Sequence, residues 1–248
     1  MPSRGLREEY TELPSTQDRA IELARGGAPE GTRVVARSQS AGRGRLDHAW
    51  ASPEGGLYLS VLLRDPSPPS PMLPLAIGAH LLDHLGAAYR LPLRLKWPND
   101  LLLVHDAQPP RKIAGVLVDR VVGPAGPVAV VGIGLNVRWP AEGAPDELST
   151  RAASLSEFVH PPPPLVRLEE EVAEVVDRSS RVLGTREGAD AVRRRCEELL
   201  YGRGRRVAVD GRMVGRIQGV GTDGELWVES GGRRVPIRDG DVTVEEPE

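Results

Sequence analysis

Cysteine and phenylalanine occur once each in this 248-residue chain, and aromatic residues make up 4% of it. The lone Cys196 excludes an internal disulfide and fits a reducing compartment. No apolar run approaches the roughly 20 residues that span a bilayer. The opening MPSRGLREEY carries no apolar signal-peptide segment, so a cytoplasmic protein without a membrane partner is expected. A net charge of −3 gives no global pull toward nucleic acid or anionic surfaces. Lysine is the sharpest shortage. Of 32 basic residues only Lys96 and Lys112 are lysine, leaving 30 arginines. With 23 prolines, this resembles drift toward GC-rich codons, in which lysine persists where an ammonium is needed and a guanidinium will not fit. Chance is the competing explanation, and the positions of the two lysines weigh against it.

What is present is ordinary globular material, 40% hydrophobic and 27% charged, enough for one large domain and a small one. Residues 1–14 are polar and read as a loose strand or turn. Ser15 or Thr16 then caps a helix with Ala20, Ile21, Leu23 and Ala24 at helical spacing, closed by Gly26-Gly27-Ala28-Pro29. Val34–Ala36 and Leu57–Leu63 are strands. Asp65–Pro74 is a proline-serine loop, and an amphipathic helix follows over Pro74–Arg90. Leu93–Lys96 and Leu101–Val104 flank the turn Pro98-Asn99-Asp100, and His105–Pro110 is a loop. Ile113–Val118 and Val128–Val131 are adjacent antiparallel strands around a Gly/Pro turn. Trp139–His160 is irregular, and Leu165–Leu183 and Ala189–Leu200 are helical. Beyond Tyr201–Gly204, turn signals at Asp210-Gly211, Thr222–Gly224 and Gly231-Gly232 predict a small β-barrel. The class is α+β, with a large unit over 1–202 and a barrel over 203–248.

The loop Gly42-Arg43-Gly44-Arg45 lies between two strands. Glycines let backbone N–H groups approach an anion, and arginines add planar charged forks suited to phosphate oxygens. A solvated basic turn has the same local sequence, so its company decides. In order come Ser15-Thr16, Gln39 with GRGRLDHAW at 42–50, KWPND at 96–100, RKIAGVLVD at 111–119 and GIGLNV at 132–137.

Together with the C-terminal barrel, these segments resemble the biotin–protein ligases over essentially the whole chain. The resemblance implies a class II synthetase-like biotin/lipoate ligase fold with a mixed, largely antiparallel sheet and a src-homology-3-like barrel. It implies two steps. The biotin carboxylate attacks the α-phosphate of ATP to give biotinyl-5′-adenylate and pyrophosphate, and a lysine of a biotin carboxyl carrier domain, as in acetyl-CoA carboxylase, then attacks the mixed anhydride. Such chemistry rests on positioning and on neutralising negative charge. The resemblance assigns Arg45 to the carboxylate and phosphate, Lys112 to the α-phosphate region, and Gly42, Arg43 and Gly44 to a mobile lid over the adenylate. Ser15, Thr16 and Gln39 supply neutral partners for the ureido ring, a role set against simple helix capping. Gly115 and Gly132 permit close backbone approach. Trp50 and Trp97 are apolar walls or core residues. Asn136 contacts adenine. Asp100 orients or deprotonates the incoming lysine, unless Asn99 and Asp100 merely fix the turn. Lys96 supports the phosphate electrostatics or is a surface charge. Leu46-Asp47-His48-Ala49 departs from the family, where further basic residues stand. ATP chemistry implies Mg²⁺; with no all-protein carboxylate cage in the sequence, ATP phosphates and water are expected to hold it.

A DNA-binding variant requires a helix-turn-helix module on the order of 60 residues ahead of the catalytic unit. Only Met1–Glu9 precedes Tyr10, so no DNA partner is expected. A lipoate ligase or octanoyl transferase shares the fold, but a thioester route wants an activated cysteine beside a base, and Cys196 is distant in sequence from every motif. KWPND also favours biotin. An exposed sheet edge offers a route to a homodimer.

Overall fold

Seven strands build the main sheet: β1 (Arg7–Leu13), β2 (Arg33–Gln39), β3 (Leu57–Arg64), β4 (Leu93–Lys96), β5 (Asp100–His105), β6 (Gln108–Gly123) and β7 (Gly126–Leu135). The computed structural model describes residues 5–46, 48–64, 71–105, 108–140, 143–145 and 148–245. Strand order is β1-β2-β3-β7-β6-β5-β4. All pairings are antiparallel except β1 with β2. A parallel pair needs a crossover, which α1 (Thr16–Arg25) supplies. The sheet is therefore mixed and largely antiparallel, as expected. The polar lead, read as a loose strand or turn, forms a regular edge strand over Arg7–Leu13.

Helices cover both faces. On one, α1 packs over Val34, Leu62, Val128 and Val130. On the other, α2 (Leu73–Tyr89), α3 (Leu165–Leu183) and α4 (Arg186–Leu199) share a core with Leu59, Val61, Leu63, Val116, Val131 and Ile133. The alternation of Leu62 with Val61 and Leu63 is the two-residue period of a strand. Burial on both faces accounts for the nearly unbroken apolar run of β3. Helix α4 begins three residues before the sequence reading because Thr185 caps it, accepting from Gly188 N. Arg7 donates Nε and Nη2 to the two oxygens of buried Glu169, both at 2.8 Å, and ties α3 to β1. The edge strand β1 carries Arg7, Glu8, Glu9 and Glu12, charges that discourage indiscriminate strand addition. At the other edge, Tyr201 N donates to Leu95 O at 2.8 Å and covers β4.

The C-terminal segment forms β8 (Arg206–Val209), β9 (Arg212–Val220), β10 (Leu226–Ser230), β11 (Arg233–Ile237) and β12 (Val242–Val244). Their order is β11-β10-β9-β8-β12, all antiparallel. The ladder is open, with β11 and β12 as edges, so closure into the expected barrel is not observed. Val207, Ile217, Val220, Leu226, Val228, Val242 and Val244 join the same apolar core as α2 and α4. Among the described residues no helix is long and apolar enough to cross a membrane. Most of the expected Asp65–Pro74 loop and the centre of the His105–Pro110 loop, at 106–107, lie outside the described residues. So does Asp47.

Candidate active site

The face of the sheet under α1 loses its side chains beyond the N-terminus of that helix. Gly132 and Gly134 on β7 and Gly115 on β6 replace the valines, with Gly115 paired to Gly134 and Gly132 to Ser60. The result is a cavity of about 120 Å³. A methyl group on Gly132 would lie 2.5 Å from Gln17 Oε1, and one on Gly134 would lie 2.4 Å from Trp50 Cε2. At either position a methyl group would force Gln17 or Trp50 to shift.

The floor is a chain of neutral hydrogen bonds. Ser60, wholly buried in an otherwise apolar strand, reaches Thr16 Oγ1 and Gln17 Oε1, each at 3.0 Å. Thr16 donates from N (2.8 Å) and Oγ1 (3.1 Å) to Gln39 Oε1, and Gln39 Nε2 donates to Ser52 Oγ at 2.7 Å. Gln17 Nε2 donates to Val130 O at 2.9 Å and Asp119 at 3.1 Å. The Ser15 hydroxyl caps α1 by accepting from Asp18 N, and the residue also lines the cavity.

Cations ring the mouth. Between Leu101 and Leu102 the register with β6 slips, so that Ala114 and Lys112 face consecutive β5 residues and Ile113 is the extra one. This bulge turns Lys112 onto the face that carries Gly115, where alternation alone would not place it. Lys112 Nζ sits 2.6 Å from Asp100 and 4.8 Å from the Trp50 ring centroid. The Trp50 indole Nε1 is buried without a hydrogen-bond partner among the described residues. Lys96 faces Asp100 across the β4–β5 turn. In the loop, Gly44 N donates to His48 O at 2.7 Å, His48 N to Arg45 O at 2.9 Å and Trp50 N to Gly42 O at 2.8 Å. Arg43 reaches Asp18 at 2.7 Å and Asp119 at 3.4 Å, and Arg45 pairs with Asp239 of the C-terminal sheet.

A second cavity, of about 500 Å³, shares Ala49, Trp50, Lys96, Asp100 and Lys112 with the first and adds Asn136, Pro110 and Val244. Asn136 is buried and donates Nδ2 to Ala153 O at 3.0 Å. Arg111 and Glu157, 2.7 Å apart, hold the segment that supplies Ala152 to this wall. Burial pushes the Glu157 carboxyl up. The Ser154 N–H, the Trp139 indole and the Arg111 guanidinium together outweigh that effect and hold it below its ordinary value.

All residues predicted for the site line the first cavity except Gly42 and Asn136. Gly42 is packed inward, where a methyl group would meet Trp50 O at 2.3 Å. Asn136 belongs to the second cavity alone. Trp97 is a core residue at 3% exposure whose indole donates to Gly224 O at 2.8 Å. Asn99 fixes its turn through Nδ2 to Val116 O at 2.9 Å, and both residues touch only the first of these two cavities. Sequence reasoning missed Gln17, Ser60, Asp119, Gly134 and the Gly240–Val242 turn. A serine inside LYLSVLLR was the one signal available for Ser60. Cys196 lies in the core between α4 and α2, and burial pushes its thiol up to about 12. Among the described residues no three His, Cys, Asp or Glu side chains group as metal ligands.

Residues 11–136 match the profile of the biotin/lipoate A/B protein ligase family. The bifunctional ligase/repressor BirA of Bacillus spizizenii is 39% identical over 154 residues, covering 58% of this chain and 44% of that protein. The chain thus aligns with less than half the length of this relative. The biotin–[acetyl-CoA-carboxylase] ligase of Mycobacterium tuberculosis is 30% identical over 236 residues, covering 91% of this chain and 83% of that one. The solved structure of a biotin protein ligase from Aquifex aeolicus, in complex with biotin and ATP, superposes with a TM-score of 0.80 at 27% identity over 98% of this chain and 99% of that one.

Proposed function

The chain belongs to the biotin/lipoate A/B protein ligase family, and from that premise we propose that it is an ATP-dependent biotin–protein ligase acting on the biotin carboxyl carrier domain of a carboxylase. The observation that carries this reading is the meeting of the two cavities at Lys112, Asp100 and Trp50. One has a neutral hydrogen-bonding floor, and the other is walled by Asn136.

In this reading the biotin ureido ring lies over Thr16, Gln39 and Ser60, and its carboxylate faces Arg45 and Lys112. Adenine sits against Asn136, which brings the α-phosphate to the same two cations. A carboxylate oxygen bonds to the α-phosphorus, the bridging oxygen to the β-phosphate leaves with pyrophosphate, and the cations offset the added negative charge. The carrier lysine amine then attacks the acyl carbon and AMP departs. Asp100, released from Lys112, is placed to accept the amine proton. With no cluster of metal-ligating side chains among the described residues, Mg²⁺ would be held by ATP phosphate oxygens and water, where it would help offset phosphate charge. Residues 203–248 are an auxiliary domain beside the catalytic unit at 1–202. Bulges at Val207/Ala208 and Trp227/Val228 support a src-homology-3-like curl for it. ATP as substrate and a single reduced thiol support a cytoplasmic site of action.

Two observations favour biotin over the lipoate or octanoate chemistry of the same family. A dithiolane or alkyl chain offers no hydrogen-bonding group to the polar Thr16–Gln39–Ser60 floor, whereas a ureido ring carries both donors and an acceptor for it. Transfer through a thioester needs an accessible thiolate, and Cys196 is buried and protonated. The test is ATP–pyrophosphate exchange with biotin, lipoate and octanoate in parallel, followed by avidin detection of a biotinylated carrier domain. Exchange with biotin alone is expected. Exchange with lipoate instead would keep the fold and overturn the substrate.

A further inference from the structure

The loop that roofs the first cavity is tied down at two arginines by two different parts of the molecule. Arg43 is held from below, by Asp18 on α1 and Asp119 on β6. Arg45 is held from across the mouth by Asp239, in the turn between β11 and β12. That turn is itself hydrogen-bonded to the turn after β8. Asp210 N donates to Asp241 O at 2.9 Å, Asp241 N donates to Asp210 Oδ1 at 2.8 Å, and Gly240 N donates to Asp239 Oδ1 at 2.9 Å. Gly240 takes φ +125°, and a methyl group there would come 2.6 Å from Val209 Cγ1, so glycine suits this turn. The next three residues, Gly240, Asp241 and Val242, form part of the cavity lining.

We propose that Asp239 is a positioning residue through which the C-terminal sheet holds the Gly42–Arg45 loop closed over the first cavity and aims the Arg45 guanidinium. The guanidinium has five N–H donors, and engaging one terminal nitrogen with Asp239 leaves the others for an acid carboxylate or phosphate beneath. The loop reaches this position against a local cost, since Leu46 stands at φ +50° in the left-handed region. A contact from outside the loop is what such a backbone requires. The function of the C-terminal sheet is then retention of a hydrolysable anhydride. This inference rests on the ligase reading for its substrate but not for its mechanics.

The test uses the full-length protein as wild type, Asp239→Asn, Asp239→Glu, Arg45→Ala and the Arg45→Ala/Asp239→Asn double variant. Without substrate, tryptic cleavage after Arg43 and Arg45, read by mass spectrometry, is expected to quicken roughly three- to fivefold in Asp239→Asn, the scale a partly exposed ion pair supports. With substrates, ATP consumed per carrier modified is expected to rise by a similar factor as adenylate escapes to water. Asp239→Glu restores both, and the double variant leaks no more than Arg45→Ala. Unchanged cleavage and leakage in Asp239→Asn, or effects that simply add to those of Arg45→Ala, would overturn the proposal. The proteolysis arm needs no ligand, so absence of biotin-dependent exchange in the wild type would strike the ligase reading while leaving the latch to be judged separately.

Discussion

Replacing Lys112 with methionine tests the centre of the site. The ammonium stands 2.6 Å from Asp100 and over the Trp50 ring, where the two cavities meet. A unit charge about 4 Å from a phosphoryl oxygen at an effective dielectric of about 20 contributes on the order of 4 kcal/mol. The Lys112 side chain is 33% exposed, so water weakens this. Asp100 acts in the opposite direction, because without its partner it becomes an unneutralised carboxylate facing an anionic substrate. A fall of about 10²- to 10³-fold in kcat/KM for biotin-dependent ATP–pyrophosphate exchange is expected, the range found when one oxyanion donor is removed. Adding Asp100→Asn to Lys112→Met should recover part of the loss by removing the stranded charge. Lys112→Arg should not rescue, because the lysine stem lies within 3.3 Å of the methyl position at Gly115 and a planar fork needs more room. Exchange within threefold of wild type in Lys112→Met would refute the assignment. Wild-type rates in Lys112→Arg would make the retention of lysine a matter of chance.

Gly132→Ala is expected to cost about 1–3 kcal/mol, as overpacking does, because Gln17 is pinned by three partners and cannot retreat; calorimetry gives the loss, and the KM for the acid should rise more than that for ATP. Glu169→Gln removes the charge that Arg7 grips from a residue at 3% exposure. A loss of about 1–2 kcal/mol, or roughly 3–6 °C in Tm, is expected, with Arg7's own exposure limiting the effect. Glu157, held below its ordinary value of 4.5, contributes stability that is present above that pH and fades as the pH falls through its folded value. Urea midpoints between pH 5.5 and 3.5 should therefore decline less steeply in Glu157→Gln than in wild type, and parallel curves would contradict the ion-pair account of the second cavity's wall.

The elements of this protein were largely legible in its sequence, because what sets them is local. Ser15 ahead of an apolar 3.6-residue period, the glycines after Arg25, and Gly123 to Pro127 between two valine-rich runs each specify a structure from a few neighbouring residues. The site was legible to the extent that its motifs are contiguous, and GRGR, KWPND and the lysine at 112 do converge on one cavity. Three things were settled only by long-range packing. The slip in register between β5 and β6 depends on how two strands are pinned by the rest of the sheet, and it decides that Lys112 points inward. The polar floor joins Gln17 and Ser60, with Asp119 holding Gln17 from behind, and these come from three elements far apart in the chain. The open five-stranded sheet brings Asp239 to Arg45, a pair 194 residues apart in the chain that no local signal connects. Helix caps and hairpin turns are decided within a few residues of the chain. A cavity, by contrast, is defined by which side chains the packed sheet leaves out, and that choice exists only after distant strands have met.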